Sequence, residues 1–478
     1  MVLKIYNTLG RKKQEFKPLH EGQVSFYYCG PTVYSIQQIG NMRGGVCADT
    51  VRRSLEYIGY AVNFVSNYTD VGHLTGDNEG DADLGEDRME KGSRIEGLSP
   101  TEIADKYIGI YEKDIKEINI LVPTIRCRAT EYIQEMIDMV QILLDKGFAY
   151  QTDSAIYFDV TKAKNYTELS GQNLEDLKSG AGTGDVVDSQ KRNANDFAVW
   201  FFKTGSHEKA LQTWEAFGKD GFPGWHIECS AMSKKHLGNT IDIHMGGIEH
   251  ISIHHTNEIA QSESANEVKF TNYWIHNEHL TVDGKKMGKS AGNAYTLEDI
   301  REKNFDPLAL RYFFLQAHYR SKQNFTWEAL EASQKGYEGL LNSLSNLGEN
   351  IGEVSEEFEN QFKEKLSDDF GVPQALALVF DILKSDLSNE DKLATVLDFD
   401  KVLGLDLKEN SSSLRGTKQS SLKINELPQE IQDLILERNL AREAQNWAES
   451  DRIRDEIEAE GYLVKDTEKG IEIFSKKF

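Results

Sequence analysis

The chain has 478 residues, a formal net charge of −24 and 39% apolar residues. Its length predicts about three domains, and its acidic charge argues against non-specific binding to nucleic acid, which needs lysines and arginines that displace counterions from phosphates. Four scattered cysteines, an N-terminus without an apolar signal core and the lack of an apolar run of about 18 residues predict a cytoplasmic protein, neither secreted nor inserted in a membrane.

The first part of the chain predicts a strand, a helix and a second, parallel strand. Residues 24–28 and 61–66 are rich in β-branched and aromatic side chains, and apolar residues recur at helical spacing over 41–58. In such a unit, ligands collect at the carboxyl ends of the strands, and backbone N–H groups at the start of the helix attract phosphate. Cys29, in the segment CGPTVYSIQQIGNMR, lies at that edge. The segment therefore places a thiol beside a phosphate-binding type of turn.

The middle of the chain predicts a parallel sheet that is interrupted by an insertion. The acidic residues 77–87 predict a mobile surface loop, because their glycines do not fit a calcium-binding loop. Helical periodicity extends over 100–150, and short strands and turns follow over 151–215. The parallel-sheet pattern then resumes at 241–244 and again at 273–282. The insertion therefore divides a nucleotide-binding fold.

The last third of the chain predicts helices, a linker and a small tail. Asp306-Pro307 is a typical helix start, and helical patterns follow it. Residues 409–421 (ENSSSLRGTKQSS) have no apolar face and predict a flexible linker. Two helices, over about 428–445 and 447–460, and a short β structure over 462–474 are expected beyond it.

Two lysines in the turn KKMGKS suit the binding of a triphosphate. Lys286 and Lys289 are three residues apart and follow a predicted strand. Such a pair can hold the phosphates while negative charge builds up on a leaving pyrophosphate. Lysine, glycine and serine are also common in exposed turns, so a plain loop is the alternative.

Two further segments offer metal ligands. His254 and Glu258 are four residues apart, and this spacing places both on one face of a helix. Together with Cys29 and Cys229 they have the donor atoms of a zinc site. The alternative is an ordinary buried thiol and a surface ion pair.

These motifs together resemble one enzyme family. CGPTVYSIQQIGNMR, GWHIECSAMS, HMGGIEHISIHHTNEIAQSE and KKMGKSAGN are similar, in this order, to the motifs of cysteinyl-tRNA synthetase, a class I aminoacyl-tRNA synthetase, and the tail from ERNLAREAQNW onward also resembles that family. The resemblance covers nearly the whole chain. It implies cysteine–tRNA ligase activity, with tRNA(Cys), ATP and cysteine as partners, in a cytoplasmic monomer that does not bind membranes.

The resemblance also implies an α/β architecture with several parts. We expect a Rossmann-like parallel-sheet catalytic domain with an inserted subdomain, then a helical bundle and a small C-terminal α+β domain. The expected bounds are 1–110 for the first half of the catalytic domain, 111–215 for the inserted connective subdomain, 216–305 for the second half with the KMGKS loop, 306–408 for the helical bundle, 409–424 for the linker and 425–478 for the tRNA anticodon-binding region.

Residue roles follow from the same resemblance. The family's zinc ligands, for one Zn²⁺ per chain, correspond to Cys29, Cys229, His254 and Glu258. Gly30, Thr69 and Trp225 correspond to the cysteine pocket. ATP, with Mg²⁺, is expected at Gln38, Gly40, Asn41 and Lys289, and catalysis is expected from Gln38, Asn41, Lys286 and Lys289.

Two motifs depart from the family pattern. The signature His-Ile-Gly-His appears as Gln38-Ile39-Gly40-Asn41, and the Lys-Met-Ser-Lys-Ser loop contains Gly288 in place of its first serine. Gln38 retains a hydrogen-bond donor but cannot become cationic. If charge on the histidine stabilises the transition state, some rate is lost here. Both lysines of the loop remain.

Other functions stay open at this stage. One is a related ligase that activates cysteine and delivers it to a small amine, as the mycothiol-forming ligase does. Another is a catalytically weak regulator that binds tRNA or cysteine. Arginines in the tail predict contact with the tRNA anticodon, and a second cluster lies near residue 320; a solvated helix face is the alternative for both. These clusters are Arg438, Arg442, Arg452 and Arg454, and Arg311, Arg320 and Lys322.

Overall fold

A computed structural model describes residues 2–72, 88–172, 188–288, 292–417, 424, 427–444, 446–467 and 470–475. The predicted acidic loop at 77–87 lies outside these residues. The chain divides into two units. The first contains residues 1–337 and 352–405, and the second contains residues 338–351 and 406–478.

The first unit begins with the strand–helix–strand arrangement that the sequence predicts. Its elements are the hairpin β1 (Lys4–Asn7) and β2 (Lys12–Glu15), then β3 (Gln23–Tyr28), α1 (Ile39–Ile58) and β4 (Ala61–Tyr68). Strands β3 and β4 pair in parallel. The prediction is confirmed, with the helix starting two residues earlier than expected and the second strand ending two residues later.

A further strand of the same sheet follows two helices. These elements are α2 (Arg88–Glu96), α3 (Pro100–Glu117), β5 (Ile125–Arg128) and α4 (Ile133–Asp145). Ser99 starts α3, because its hydroxyl accepts a hydrogen bond from the N–H of Glu102 while the Glu102 carboxylate accepts one from the N–H of Ser99. Strand β5 pairs in parallel with β4. The range 111–215, predicted as an insertion, thus contains one strand of the central sheet.

An antiparallel sheet interrupts the central one. Its five strands are arranged in the order β6, β7, β8, β10, β9. They are β6 (Ala149–Gln151), β7 (Ala155–Phe158), β8 (Phe197–Phe202), β9 (Trp214–Ala216) and β10 (Lys219–Pro223). All residues of β7 and β8 are buried, so the aromatic and aliphatic side chains of these strands form the interior. The predicted short strands are confirmed; the exact bounds of the inserted domain stay a prediction.

The central sheet then resumes. The elements are α5 (Trp225–Leu237), β11 (Ile241–Gly247), α6 (His254–Asn266) and β12 (Thr271–Asn277). The complete sheet is parallel, with the strand order β12, β11, β3, β4, β5. The chain thus runs outward from β3 to one side and later from β11 to the other. Ligands of such sheets bind in the crevice at this point of reversal, beyond the carboxyl ends of the strands.

Helices cover both faces of this sheet. On one face, Val51 and Leu55 of α1 pack with Phe26 and Phe64. On the other face, α4, α5 and α6 supply buried side chains such as Met136, Ile227 and Ala260. A parallel sheet buried on both faces is the Rossmann-like arrangement that the sequence predicts.

A small three-stranded sheet carries the first lysine of the KMGKS loop. Strand β13 (Leu280–Val282) pairs antiparallel with β14 (Lys285–Lys286). The chain continues through α7 (Leu297–Glu302) and α8 (Pro307–Leu315) to β15 (Gln323–Phe325), which pairs in parallel with β13. The predicted helix start is confirmed, because the Asp306 carboxylate accepts a hydrogen bond from the N–H of Leu308. Strand β15 was not predicted.

The helical region continues with α9 (Trp327–Asn346), α10 (Glu356–Ser367), α11 (Val372–Lys384) and α12 (Asn389–Leu403). Arg311 of α8 is fully buried, with Nη2 2.6 Å from Asp49 Oδ2. The side chain is thus neither a nucleic-acid contact nor part of a solvated face, and both interpretations of Arg311 were wrong. An unpaired charge at this depth would be strongly destabilising, so the ion pair between Arg311 and Asp49 ties α8 to α1.

None of the described helices is long and apolar enough to cross a membrane.

The second unit ends with two packed helices and a hairpin. After α13 (Leu407–Thr417) come α14 (Gln429–Glu443), α15 (Trp447–Ala459), β16 (Tyr462–Thr467) and β17 (Gly470–Ser475). The helices and hairpin of the predicted tail are confirmed. The predicted linker was wrong over residues 409–417, which are helical. Leu407 and Ser411, one turn apart, are both buried on one face of this helix. Because serine is polar, the sequence did not indicate a buried face. Residues 418–421 lie outside the described chain.

Candidate active site

A cavity of about 500 Å³ opens at the point where the strand order reverses. Its wall includes the residues after β3, the start of α1, the end of β11 and the start of α5. The cavity is lined by Cys29, Gly30, Gln38, Gly40, Asn41, Thr69, Trp225, Cys229, His254 and Lys286, all of which the sequence predicts as site residues. One cavity thus brings together the predicted cysteine pocket and the described part of the predicted ATP site.

Two thiols lie at the inner end of this cavity. Cys29 directly follows β3, and its N–H donates to Met245 O of β11, 3.2 Å away. Cys229 lies on α5, and its Sγ is 3.7 Å from Cys29 Sγ. Two thiolates on one tetrahedral zinc ion lie about 3.8 Å apart, because each Zn–S bond is about 2.3 Å long. The spacing of the thiols therefore fits a shared zinc ion.

Helix α6 adds a nitrogen and an oxygen donor. Its first residue, His254, has Nε2 2.9 Å from Oε1 of Glu258, one turn later. The donor atoms of Cys29, Cys229, His254 and Glu258 all lie within 4.8 Å of one another, and all four residues are buried. The predicted convergence of these side chains is therefore present, and the set can hold a metal ion.

A second combination of residues around the same point also has metal-binding geometry. It shares Cys29 and Glu258 with the first set and contains His244 and His255 as well. His244 Nε2 lies 2.9 Å from Glu258 Oε2, and His255 Nε2 lies 3.4 Å from Cys29 Sγ. Neither histidine lines the cavity, whereas three members of the first set do. Three of the four residues of the first set thus line the cavity, against one, Cys29, of the second.

Hydrogen bonds fix the wall around the predicted cysteine pocket. Asn67 Oδ1 accepts from the N–H of Gly30 at 3.0 Å, and the Asn67 amide donates to Thr69 Oγ1 at 3.2 Å. Thr69 in turn donates to Glu228 Oε2 at 3.0 Å. A Cβ at Gly30 would lie 1.7 Å from the backbone oxygen of Asn67, so only glycine fits there. The Trp225 ring packs against the His254 ring with centroids 4.2 Å apart.

The start of α1 forms the opposite end of the cavity. Gln38 precedes the helix, and its N–H donates to Asn41 Oδ1 at 3.3 Å. Gln38 and Gly40 are half-buried, Asn41 is exposed, and all three line the cavity. Met287 of the KMGKS loop lies over Gly40: a Cβ there would be 3.6 Å from the methionine sulfur. Lys286 also lines this end, and Lys289 lies outside the described residues.

Comparison with known proteins identifies the family. The family model "tRNA synthetases class I (C) catalytic domain" matches residues 15–335, and "Cysteinyl-tRNA ligase anticodon binding domain" matches residues 425–473. Cysteine--tRNA ligase 1 of Burkholderia lata is 42% identical over 99% of this chain and 97% of its own length. Cysteine--tRNA ligase of Treponema denticola is 41% identical over 98% of each chain. The chain belongs to the cysteinyl-tRNA synthetase family.

Solved structures show the same fold outside this family. Methionyl-tRNA synthetase of Mycobacterium tuberculosis, in complex with methionyl-adenylate, matches with a TM-score of 0.53 and 13% identity, over 81% of this chain and 91% of its own. A LeuRS from Agrobacterium radiobacter, in a ternary complex with tRNA and LeuAMS, matches with a TM-score of 0.58 and 11% identity, over 84% and 86%. These similarities support the predicted α/β class with a Rossmann-like domain.

In this cysteinyl-tRNA synthetase family member, the four candidate ligands have strongly shifted pKa values. Burial alone would raise the pKa of Glu258, but His244 and His254 outweigh burial and lower it to about 2. Burial would likewise lower the pKa of His254, but Glu258 and Cys229 raise it to about 10. Burial raises the pKa of Cys29, while the contact with Cys29 lowers that of Cys229. Without an ion, the cluster thus favours a carboxylate at Glu258 and a thiolate at Cys229, whereas His254 carries a proton that it must lose to bind a metal.

Sequence reasoning missed two groups of this site. His244 ends the predicted strand at 241–244, and only the structure shows that this strand lies beside β3. Asn67 belongs to the same NYTD segment as Thr69, but only the structure shows that its carboxamide connects Gly30 to Thr69. Their partners are distant in sequence, so no local pattern indicated them.

Proposed function

We propose that the chain is a cysteine–tRNA ligase, which converts cysteine and ATP to cysteinyl-adenylate and pyrophosphate and then transfers the cysteinyl group to tRNA(Cys). The observation that carries this proposal is one cavity that has two thiols, a histidine and a carboxylate at its inner end and the start of α1 with Lys286 at its outer end. The inner end suits a thiol substrate, and the outer end suits phosphates.

Cys29, Cys229, His254 and Glu258 would hold one zinc ion. The thiol spacing and the convergence of four buried donors fit this ion. When bound, zinc supplies a soft Lewis acid that prefers the thiolate of cysteine to the hydroxyl of serine. His226 Nδ1 lies 2.9 Å from His254 Nδ1 and orients the ring, so that Nε2 faces Glu258.

The remaining residues of the cavity bind and orient the two substrates. Trp225 and Thr69 lie beside the inner end, where they would hold the body of cysteine. The cysteine carboxylate then attacks the α-phosphate of ATP, which is bound with Mg²⁺; the new carboxyl–phosphate bond forms cysteinyl-adenylate, and pyrophosphate leaves. Gln38, the backbone N–H groups near Gly40, Asn41, Lys286 and Lys289 would stabilise the charge on the phosphates. No nucleophile from the protein is needed.

The second step and the second unit concern tRNA. A terminal ribose hydroxyl attacks the carbonyl carbon of the adenylate, an ester forms and AMP leaves.

We assign residues 425–478 to the binding of the tRNA anticodon. Arg438 is only 1% exposed, so our prediction that it contacts tRNA was wrong. Arg452 is paired with Glu449 and Glu456, whereas Trp447 is 57% exposed beneath the Arg442 guanidinium, at 5.5 Å from the ring centroid. Such an exposed aromatic ring suits stacking with a base.

Cysteine-dependent exchange of labelled pyrophosphate into ATP, followed by charging of tRNA(Cys), tests the proposal. We expect both activities. Exchange without charging, but with transfer to a small amine, would support the small-amine ligase instead, and the lack of both would support the regulator. The domain bounds given above other than the linker at 409–424, a single Zn²⁺ per chain, a monomeric state and a cytoplasmic location complete the proposal.

A further inference from the structure

Among the residues that the structure describes, few cations line the outer end of the cavity. Gln38 and Asn41 are neutral, and Lys286 is the described lysine of the KMGKS loop at this end. One more cation from a distant part of the chain lines the same cavity: Lys322, which directly precedes β15. A leaving pyrophosphate gains negative charge, so each cation placed here stabilises the transition state.

A buried arginine of the signature helix contacts both sequence neighbours of Lys322, the backbone of Ser321 and the side chain of Gln323. Arg43, on α1, is 1% exposed. Its Nη2 donates to Ser321 O at 2.8 Å, and its Nε donates to Gln323 Oε1 at 3.0 Å. Arg43 also donates to the carbonyl of Glu278, just before β13. The helix that begins at the phosphate end thereby fixes the position of Lys322.

The strand pairing places Lys322 and Lys286 on opposite sides of β13. Lys286 of β14 pairs with Thr281, and Gln323 of β15 pairs with Leu280 on the other edge. Leu280 and Thr281 line the cavity together with both lysines. The two lysines therefore line the cavity from the two edges of one strand.

Lys322 is exposed and has no ion-pair partner in the described part of the chain. Its near neighbour differs: Arg320 forms hydrogen bonds from Nε and Nη2 to Asp369 Oδ2, at 2.8 and 2.5 Å. The Arg320 charge is thus neutralised within the protein, whereas the Lys322 charge stays available to a ligand. Of the cluster Arg311, Arg320 and Lys322, only the lysine is in a position to meet an anion.

We propose that Lys322 binds the phosphates of ATP and supplies cationic charge at the end of the cavity where Gln38 supplies none. This inference rests on the proposed function, in which the same cavity binds ATP. Lys322 acts on the nucleotide and not on cysteine, because the thiol cluster lies at the inner end.

Equilibrium binding of ATP and of adenosine to the full-length, zinc-loaded protein tests the contact. Lys322→Met removes the charge and Lys322→Arg retains it. Lys335→Met is the matched control, because Lys335 is 72% exposed on α9 and does not line the cavity. We expect Lys322→Met to weaken ATP binding about tenfold, a modest loss for an exposed charge, and to leave adenosine binding unchanged. Equal weakening for ATP and adenosine, or unchanged ATP binding, would overturn the proposal.

A second test compares the effect of Gln38→His on pyrophosphate exchange with and without Lys322. Gln38→His should accelerate pyrophosphate exchange more in the Lys322→Met background than in the natural one, because the new histidine then replaces a missing charge. An equal acceleration in both backgrounds would contradict the proposed compensation. If the natural protein showed no cysteine-dependent exchange, the proposed function would fail; if it were active and Lys322→Met bound ATP normally, only this inference would fail.

Discussion

The two ends of the active-site cavity are built in different ways. At the inner end, Cys29, Cys229, His254 and Glu258 are at most 9% exposed, and a surrounding shell of hydrogen-bonded side chains fixes them. At the outer end, Asn41 and Lys322 are exposed and Gln38 is half-buried. A buried ligand set tolerates little change, because each lost group leaves an uncompensated charge. The outer end distributes its task over several solvated groups, so single changes there should cost less.

The largest expected effect is that of Cys229→Ser. A serine hydroxyl is a poor zinc ligand, so we expect the variant to lose bound zinc and to weaken cysteine binding by at least about 100-fold, with ATP binding nearly unchanged. Zinc content and binding of both substrates measure this. Cys47→Ser is the control, since Cys47 is also buried but lies on α1, outside the cluster. Equal losses for cysteine and ATP would mean that Cys229 supports the whole fold and not one end of the cavity.

A smaller effect on zinc binding is expected from replacing His244, which contacts the candidate ligand Glu258. His244 Nε2 lies 2.9 Å from Glu258 Oε2, and His244 does not line the cavity. Since partners of metal ligands are typically worth about 10- to 100-fold in metal affinity, His244→Asn should lower zinc affinity within that range. Competition with a chelator measures the affinity, and His207→Asn, a buried histidine of the antiparallel-sheet region, is the control. Complete loss of zinc would indicate that His244 is itself a ligand.

At the outer end, replacing Gln38 should change the rate of adenylate formation only moderately. Gln38→His restores a group that can carry charge, so we expect an increase of about tenfold or less, with little change in the KM for cysteine. Gln38→Ala removes the hydrogen-bond donor and should be clearly slower than the natural enzyme. Pre-steady-state adenylate formation compares the three proteins. If alanine matched glutamine, Gln38 would have no catalytic role.

The smallest effect on adenylate formation is expected from deletion of residues 425–478. The described residues that line the cavity all belong to the first unit, so activation of cysteine should be spared while tRNA charging falls. The intact enzyme should also lose tRNA affinity as salt rises, more steeply than the truncated one, because phosphate contacts release counterions. A collapse of pyrophosphate exchange in the truncated protein would instead make the tail a support of the catalytic unit.

The sequence predicted those parts of the molecule that local patterns encode. The strand–helix–strand unit, the start of α8 and the four candidate ligands could be located, because each has a periodicity, a capping residue or a motif. The burial of Arg311 and Arg438 could not be predicted: arginine is usually exposed, and only tertiary packing places Arg311 beside Asp49. The same applies to His244, Asn67 and Lys322, whose partners lie far away in the sequence.

The central claim is that Cys29, Cys229, His254 and Glu258 hold the zinc ion to which the substrate thiol binds. Zinc-edge X-ray absorption of the purified protein, recorded with and without cysteine, tests it directly. We predict two sulfur ligands at about 2.3 Å together with nitrogen and oxygen ligands at about 2.0 to 2.2 Å, and a third sulfur after cysteine is added. A single sulfur in the free protein, as expected for the set Cys29, His244, His255 and Glu258, or an unchanged sulfur count with cysteine, would contradict the account.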